Sequence, residues 1–553
     1  MNDDRFDDDR PDSIEIDGES LTPEAVVRIA REGARVEVPE RAREAVRRSR
    51  KRVEDILDAG DAVYGVNTGF GELVDERIDV DDLDALQENL VRSHAAGTGR
   101  ELSIEEVRVL LVTRLNALVK GYSGVREVVI DQLATMLNDG IHPVVRSRGS
   151  LGASGDLAPL AHVALVLIGE GEAYVGPRTP DRSQESIGAN AASQPHDRMG
   201  ERVPGDDALA RAGLEPLTLG PKEGLALING TQLTVGLASL VVYDGERLLR
   251  AADAAGALTT EVTMGTTAAC DPALSDVRPH LGQATSARMV KRLTAESEIV
   301  ESHRNCDRVQ DAYSIRCLPQ VHGAVRDALD HLREAVEIEL NSATDNPLLF
   351  DRERVDPRAS GTDTAAVLSG GNFHGAPLAH RLDYATAALA DLAAICERRV
   401  DRMVNPNLQE EHLPPFLTDD SGLRSGQMLA QYASAAVGNE LRSLGRPGVD
   451  TVSVSGGQED HVSMSATSAL FARRAVELAT SAVAVELLCA AEAAEYVSSE
   501  LDHGIGTGAV YRAVRSVVEP LTEDRPLAPD IDAVASVISE GELDERIDRA
   551  LDK

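Results

Sequence analysis

A mainly α-helical protein, with a long central helical bundle and a smaller N-terminal mixed region, is what this 553-residue sequence predicts. Three segments carry that expectation. Ser103-x-x-Glu106 is a capping-box pattern, in which hydroxyl and carboxylate each satisfy a free N–H at a helix start. Ile104, Val107, Leu111, Leu115 and Leu118 follow at helical spacing, and Gly121 marks a stop. Leu378, Leu382, Ala385, Leu389, Leu392 and Ile395 repeat the spacing over several turns. Residues 464–497 are dense in alanine and apolar around much of their circumference, which suits the centre of a bundle or an oligomer.

In chain order, residues 1–13 read as a disordered acidic tail. An N-terminal region follows over 14–235, opening on the alternating Ile14-Glu15-Ile16. It is interrupted at 176–208 by a polar insertion of Pro, Ser, Asn, Asp and Gly. Residues 236–500 form the central bundle and 501–553 a C-terminal helical cap.

Charge narrows the function classes. Ninety-three acidic residues against 56 basic ones leave a net charge of -37, and only Lys51, Lys120, Lys222, Lys291 and Lys553 are lysines. Such a surface repels nucleic acid and anionic membranes, and suits a protein working in high salt, where screening relieves self-repulsion. The five cysteines are odd in number and scattered, as expected of reduced thiols. The polar acidic start and the charges interrupting every apolar run predict a soluble cytoplasmic protein.

Residues 149–163 read GSLGASGDLAPLAHV, and Ala153-Ser154-Gly155 inside them can do unusual chemistry. In a tight turn the Gly155 nitrogen can attack the Ala153 carbonyl. Loss of two waters, one taking the Ser154 hydroxyl, leaves a five-membered ring with an exocyclic methylidene, a strong electrophile. Glycine supplies an unhindered nitrogen and rare backbone angles. The competing reading is a glycine-punctuated turn before a helix near Asp156.

Other polar groups sit in glycine-rich or apolar settings. Tyr64 opens YGVNTGFGE and could act as a base if nearby positive charge lowers its pKa; a packed loop tyrosine is the alternative. His94 lies among small residues in RSHAAGTG, where a lone histidine is more often structural or at the surface than catalytic. Asn229 follows the apolar GLALI and could be a helix cap. Gln310, Tyr313 and Arg316 recur every three residues, so one helical face could present them, the arginine clamping a carboxylate. Glu459 follows two glycines in GGQEDHVSM. His303, Cys306, Cys317 and His322 have a zinc-like spacing, but the residues between them read as helical, so no metal is expected.

Together these motifs resemble the aromatic amino acid ammonia-lyases, from about Val63 to about Asp532. GSLGASGDLAPLAH is far more specific to that family than Ala-Ser-Gly alone. The resemblance implies an aspartase/ammonia-lyase-like fold whose N-terminal region carries the electrophile loop. It implies MIO (4-methylidene-imidazol-5-one) formed autocatalytically from Ala153-Ser154-Gly155, no dissociable cofactor, and a homotetramer with shared active sites. By matching motif, Tyr64 would be the base, Asn229 and Tyr313 would orient substrate and electrophile, and Gln310 would complete the polar network. Arg316 would hold the carboxylate, and Phe373 in GGNFHG would pack near the electrophile.

Phenylalanine-specific relatives typically carry an apolar pair where this chain has Ser93-His94, and glutamine where Glu459 stands. A histidine and a carboxylate suit an imidazole ring, which offers a donor and an acceptor, so the expected reaction is deamination of L-histidine to trans-urocanate and ammonia. DAYS, NFHGAP and SGGQED depart from the commoner DPYS, NFHAEP and SANQED without removing an assigned residue. A tyrosine ammonia-lyase or aminomutase is the alternative within the family, and an inactive helical scaffold the alternative outside it.

Overall fold

The computed structural model describes residues 13–60, 82–177, 200–304 and 308–552. The N-terminal region is mixed, as expected. Ser13–Glu15 pairs in parallel with Arg35–Glu37. Ile141–Pro143, Glu172–Val175 and Glu201–Pro204 form a three-stranded antiparallel sheet. Between them run α1 (Leu83–His94), α2 (Ile104–Val119) and α3 (Leu157–Leu167). The capping box of Ser103 and Glu106 starts α2, and Gly121 stands just past its end with φ +79°. Its five apolar positions predict one buried stripe, yet every residue of α2 is buried, because α2 lies across the bundle as well as its own region.

The short α4 (Glu223–Ile228) leads into α5 (Gln232–Val262), a helix of 31 residues. Antiparallel to it runs α6 (Leu318–Leu340): Thr231 meets Glu339 at one end and Asp253 meets Arg326 further along. The long α7 (Ala376–Val404) and α8 (Ser465–Ala494) run parallel to α5, since Thr234 meets Ser465 and Thr259 meets Glu486. Both fall where the apolar repeats place them. Ile505–Arg515, Ala528–Ser539 and Glu542–Leu551 make the C-terminal helical cap.

A buried ionic cluster joins four helices toward the C-terminal end of α5. Arg399 donates to both Glu486 oxygens at 2.5 and 2.8 Å, and His322 Nδ1 lies 2.8 Å from Asp253. His322 is therefore committed to the bundle interior, away from the zinc-like spacing. Cys306 lies outside the described residues.

Two expectations need correcting. The boundary at 235/236 falls inside α5, because the 232–262 helix is unbroken. Of the polar insertion, 178–199 lie outside the described residues, whereas Glu201–Pro204 complete the sheet and Ala208 and Leu209 of the next helix are fully buried. The insertion therefore ends earlier than 208, its last residue already belonging to the packed helix. The acidic tail, apart from Ser13, lies outside the described residues. No helix among the described residues is long and apolar enough to cross a membrane.

Candidate active site

Ala153-Ser154-Gly155 sits where four helices begin. Asp156 caps α3, Thr231 caps α5, Gly375 caps α7 and Met464 caps α8. Each start contributes about half a positive charge from its free N–H groups, so the loop lies in a field that favours negative charge.

The turn is tight because its glycines leave no room. Gly155 has φ +78°, and a Cβ there would stand 2.2 Å from the Gly230 carbonyl oxygen. At Gly152, φ +65°, a Cβ would stand 2.1 Å from Ser463 Oγ. The loop is pinned on both sides: Asp156 N–H donates to Gly230 O at 2.7 Å, and Met464 N–H to Leu151 O at 2.8 Å. Ser463 Oγ donates to Gly152 O at 3.0 Å.

Functional groups address the serine directly. Asn229 Nδ2 donates to Ser154 O at 2.6 Å, and Gly230 N–H points at the same oxygen from 3.4 Å. Ser154 Oγ donates to Glu459 Oε1. The Asn229 side chain is buried with its Oδ1 unpartnered, an acceptor left over for a ligand. So Asn229 is more than a helix end: it closes α4 as C-cap and turns its amide onto the electrophile loop.

His94 and Phe373 belong to the same end of the molecule. His94 ends α1 with Nδ1 2.8 Å from the Leu90 carbonyl. A carbonyl only accepts, so Nδ1 carries a proton, and in the neutral ring Nε2 is then the acceptor. Three residues on, Gly97 packs against Gly149 at the start of the electrophile loop. Phe373 lies two residues before Gly375, where a Cβ would stand 2.1 Å from Ser465 Oγ. His374 and His461 stack at 5.9 Å, tying the Phe373 loop to the Glu459 loop.

Gln310, Tyr313 and Arg316 lie elsewhere. Arg308 donates to Thr263 O at 3.2 Å and Asp311 accepts from Thr266 N at 2.8 Å, which fixes this segment to the C-terminal end of α5. The electrophile loop is fixed to the other end. A 31-residue helix is about 45 Å long, so one chain cannot bring the two groups together. The shared helical face is also corrected: Tyr313–Arg316 is a single turn, and Gln310 precedes its extended cap Ala312. Tyr313 is 71% exposed, with the Arg316 guanidinium over its ring at 5.1 Å. Tyr64 lies outside the described residues.

Several residues escape the sequence reading. Asp156 is fully buried, and burial raises its pKa despite bonds from Thr234 N at 2.8 Å and Ser150 Oγ at 2.8 Å. Arg114 donates to Asn229 O at 2.7 Å and Gln232 Oε1 at 2.5 Å, and burial pulls its pKa down to about 10. Two arginines inside the apolar α2 pattern, Arg108 and Arg114, were the available signal.

The chain belongs to the aromatic amino acid lyase family, whose pattern matches residues 21–516. It is 61% identical over 541 residues to a Halobacterium salinarum protein named "Probable histidine ammonia-lyase", covering 98% of this chain and 99% of that one. It is similar to the structure of tyrosine aminomutase from Streptomyces globisporus, with TM-score 0.86, 38% identity, and 97% and 98% of the two chains covered. Histidine ammonia-lyase from Trypanosoma cruzi follows at TM-score 0.84 and 34% identity, with 97% and 95% covered.

Proposed function

We propose that this chain deaminates L-histidine non-oxidatively to trans-urocanate and ammonia, the first step of histidine degradation. The observation that carries the reading is what stands at the electrophile end: a carboxylate, Glu459, against Ser154, with the His94 imidazole held by the Leu90 carbonyl on the helix beside the loop. An imidazole substrate satisfies both. Phenylalanine would leave both groups without a ring partner once substrate covers them, at about 1–3 kcal/mol each.

The residues fit the MIO group, because only glycine can occupy 155 and the Ser154 carbonyl is already held by two donors. Formed from Ala153-Ser154-Gly155, the group supplies an electrophilic alkene that makes the substrate amine a better leaving group. Asn229 Nδ2 and Gly230 N–H stabilise negative charge at Ser154 O, as preorganised donors do. Tyr64 takes the β-proton, Arg316 fixes the carboxylate, Tyr313 and Gln310 orient the substrate, and Phe373 closes the apolar side.

Arg316 and Tyr313 then have to come from a second copy, so the working unit is a homo-oligomer with shared sites, a tetramer by family resemblance. The net charge of -37 argues against nucleic acid or an anionic membrane as partner. A cytoplasmic location suits the acidic, lysine-poor composition.

The similarity to a tyrosine aminomutase supports a second reading, since His94 could also meet a phenolic hydroxyl. Ammonia release from L-histidine, L-tyrosine and L-phenylalanine separates them. Release from histidine alone, with urocanate absorbance, is expected. Release from tyrosine would overturn the reading of Glu459, and a β-amino product without ammonia would favour the aminomutase.

A further inference from the structure

We propose that His162 is a positioning residue for substrate-ring recognition, fixing His94 at a set distance from the electrophile loop. The inference rests on the histidine reading above. Gly97 N–H donates to His162 Nε2 at 3.2 Å, three residues after His94. The intervening chain is short and tied: Ala95 N–H donates to Val91 O at 3.1 Å and Ala96 N–H to His94 O at 2.8 Å. Movement of Gly97 is therefore movement of His94.

The other end of this link is the electrophile. His162 stands on α3, which starts directly after Gly155 and is anchored by Asp156 on Thr234. His162 lies five residues beyond Leu157 on this helix, about 8 Å of rigid rise. Gly97 is wedged at the junction. A Cβ there would stand 2.8 Å from His162 Nε2 and 2.9 Å from Arg146 Cβ, and Gly149 closes the third side.

The bond requires a neutral imidazole, because a protonated Nε2 would face the Gly97 N–H donor to donor. Burial, helped by Arg146, lowers the His162 pKa and keeps that form. A substrate-ring contact tolerates about half an ångström of error, so a strut of this kind acts on binding rather than on the electrophile.

Three variants test it: His162→Leu removes the acceptor, His162→Gln restores an acceptor oxygen, and Gly97→Ala wedges the same junction from the other side. The readouts are intact mass, KM and kcat for L-histidine, and direct binding of urocanate. His162→Leu and Gly97→Ala should keep the two-water mass deficit, raise KM by about tenfold, weaken urocanate binding in proportion, and leave kcat within about threefold. His162→Gln should lie close to the parent. Unmoved KM in the first two variants would overturn the proposal, as would a Gln variant as impaired as Leu. If His162→Leu does not fold, Gly97→Ala carries the same test. Failure of the parent itself to deaminate histidine would sink the functional reading instead.

Discussion

The two ends of α5 differ in how much of their work one chain completes. At the N-terminal end, Gly152, Gly155, Gly230, Ser463 and Asp156 are locked into one another, and four helix starts converge. At the C-terminal end, Val309 is 95% exposed, Tyr313 is 71% exposed, and Arg316 rests on the Tyr313 ring. The difference follows from the chemistry assigned to each. A tripeptide that must attack itself needs its geometry fixed within its own chain, because closure depends on one turn being tight. Groups that only clamp a substrate can be supplied by a neighbour, and an arginine left on an open surface is what such a division leaves behind.

Breaking the closed end has the largest expected effect. Ser154→Ala should abolish turnover while melting temperature and assembly size stay at the parental values; retained turnover would sink the electrophile. Gly155→Ala should block closure, read as the absence of the two-water mass deficit. It should also cost about 2–4 kcal/mol in denaturant unfolding, from a forced left-handed alanine against the Gly230 carbonyl.

Breaking the open end should be less complete. Arg316→Met removes a charge-assisted carboxylate clamp, worth about 2–4 kcal/mol, so kcat/KM should fall about 30- to 1000-fold with the mass deficit intact. His94→Phe should lower kcat/KM on histidine about 10- to 100-fold, and steady-state kinetics with all three amino acids would show whether the loss is confined to histidine.

The smallest effect is on pH. His142, buried beside Arg108, has its pKa pushed down to about 3, whereas an unfolded histidine titrates near 6.5. Between those values the unfolded chain binds a proton that the folded chain refuses. This contribution is therefore complete above about pH 6.5 and declines below it, by about 2 kcal/mol at pH 5. Denaturant titrations of the parent and His142→Gln at the two pH values should show a smaller decline in the variant.

Much of this was legible in the sequence, for identifiable reasons. Capping at Ser103, the repeat from Leu378 to Ile395 and the alanine-dense 464–497 are local signals, and the helices formed where those signals lie. The tripeptide and its partners were legible as residue types. Their grouping was not. Nothing in the spacing of Gln310, Tyr313 and Arg316 reveals that a 31-residue helix separates them from Ser154. Asp156 and Arg114 were missed because their roles depend on burial against segments distant in sequence, Thr234 and Asn229. The buried Ala208 was missed because a single apolar residue at the end of a polar run makes no periodic pattern.

The division of the site between chains is the central claim, and co-expression of one inactive and one strongly impaired variant tests it most directly. Ser154→Ala keeps an intact Arg316, and Arg316→Met keeps an intact Ser154. If each site takes its electrophile from one chain and its arginine from another, random assembly restores about a quarter of the sites to full composition. Activity on histidine near that fraction, against only the residual Arg316→Met activity when the variants are expressed separately and mixed without exchange, is the predicted result. Mixed assemblies with no activity above the Arg316→Met variant alone would mean that each chain builds its own site, and the account of α5 as the divider would be wrong.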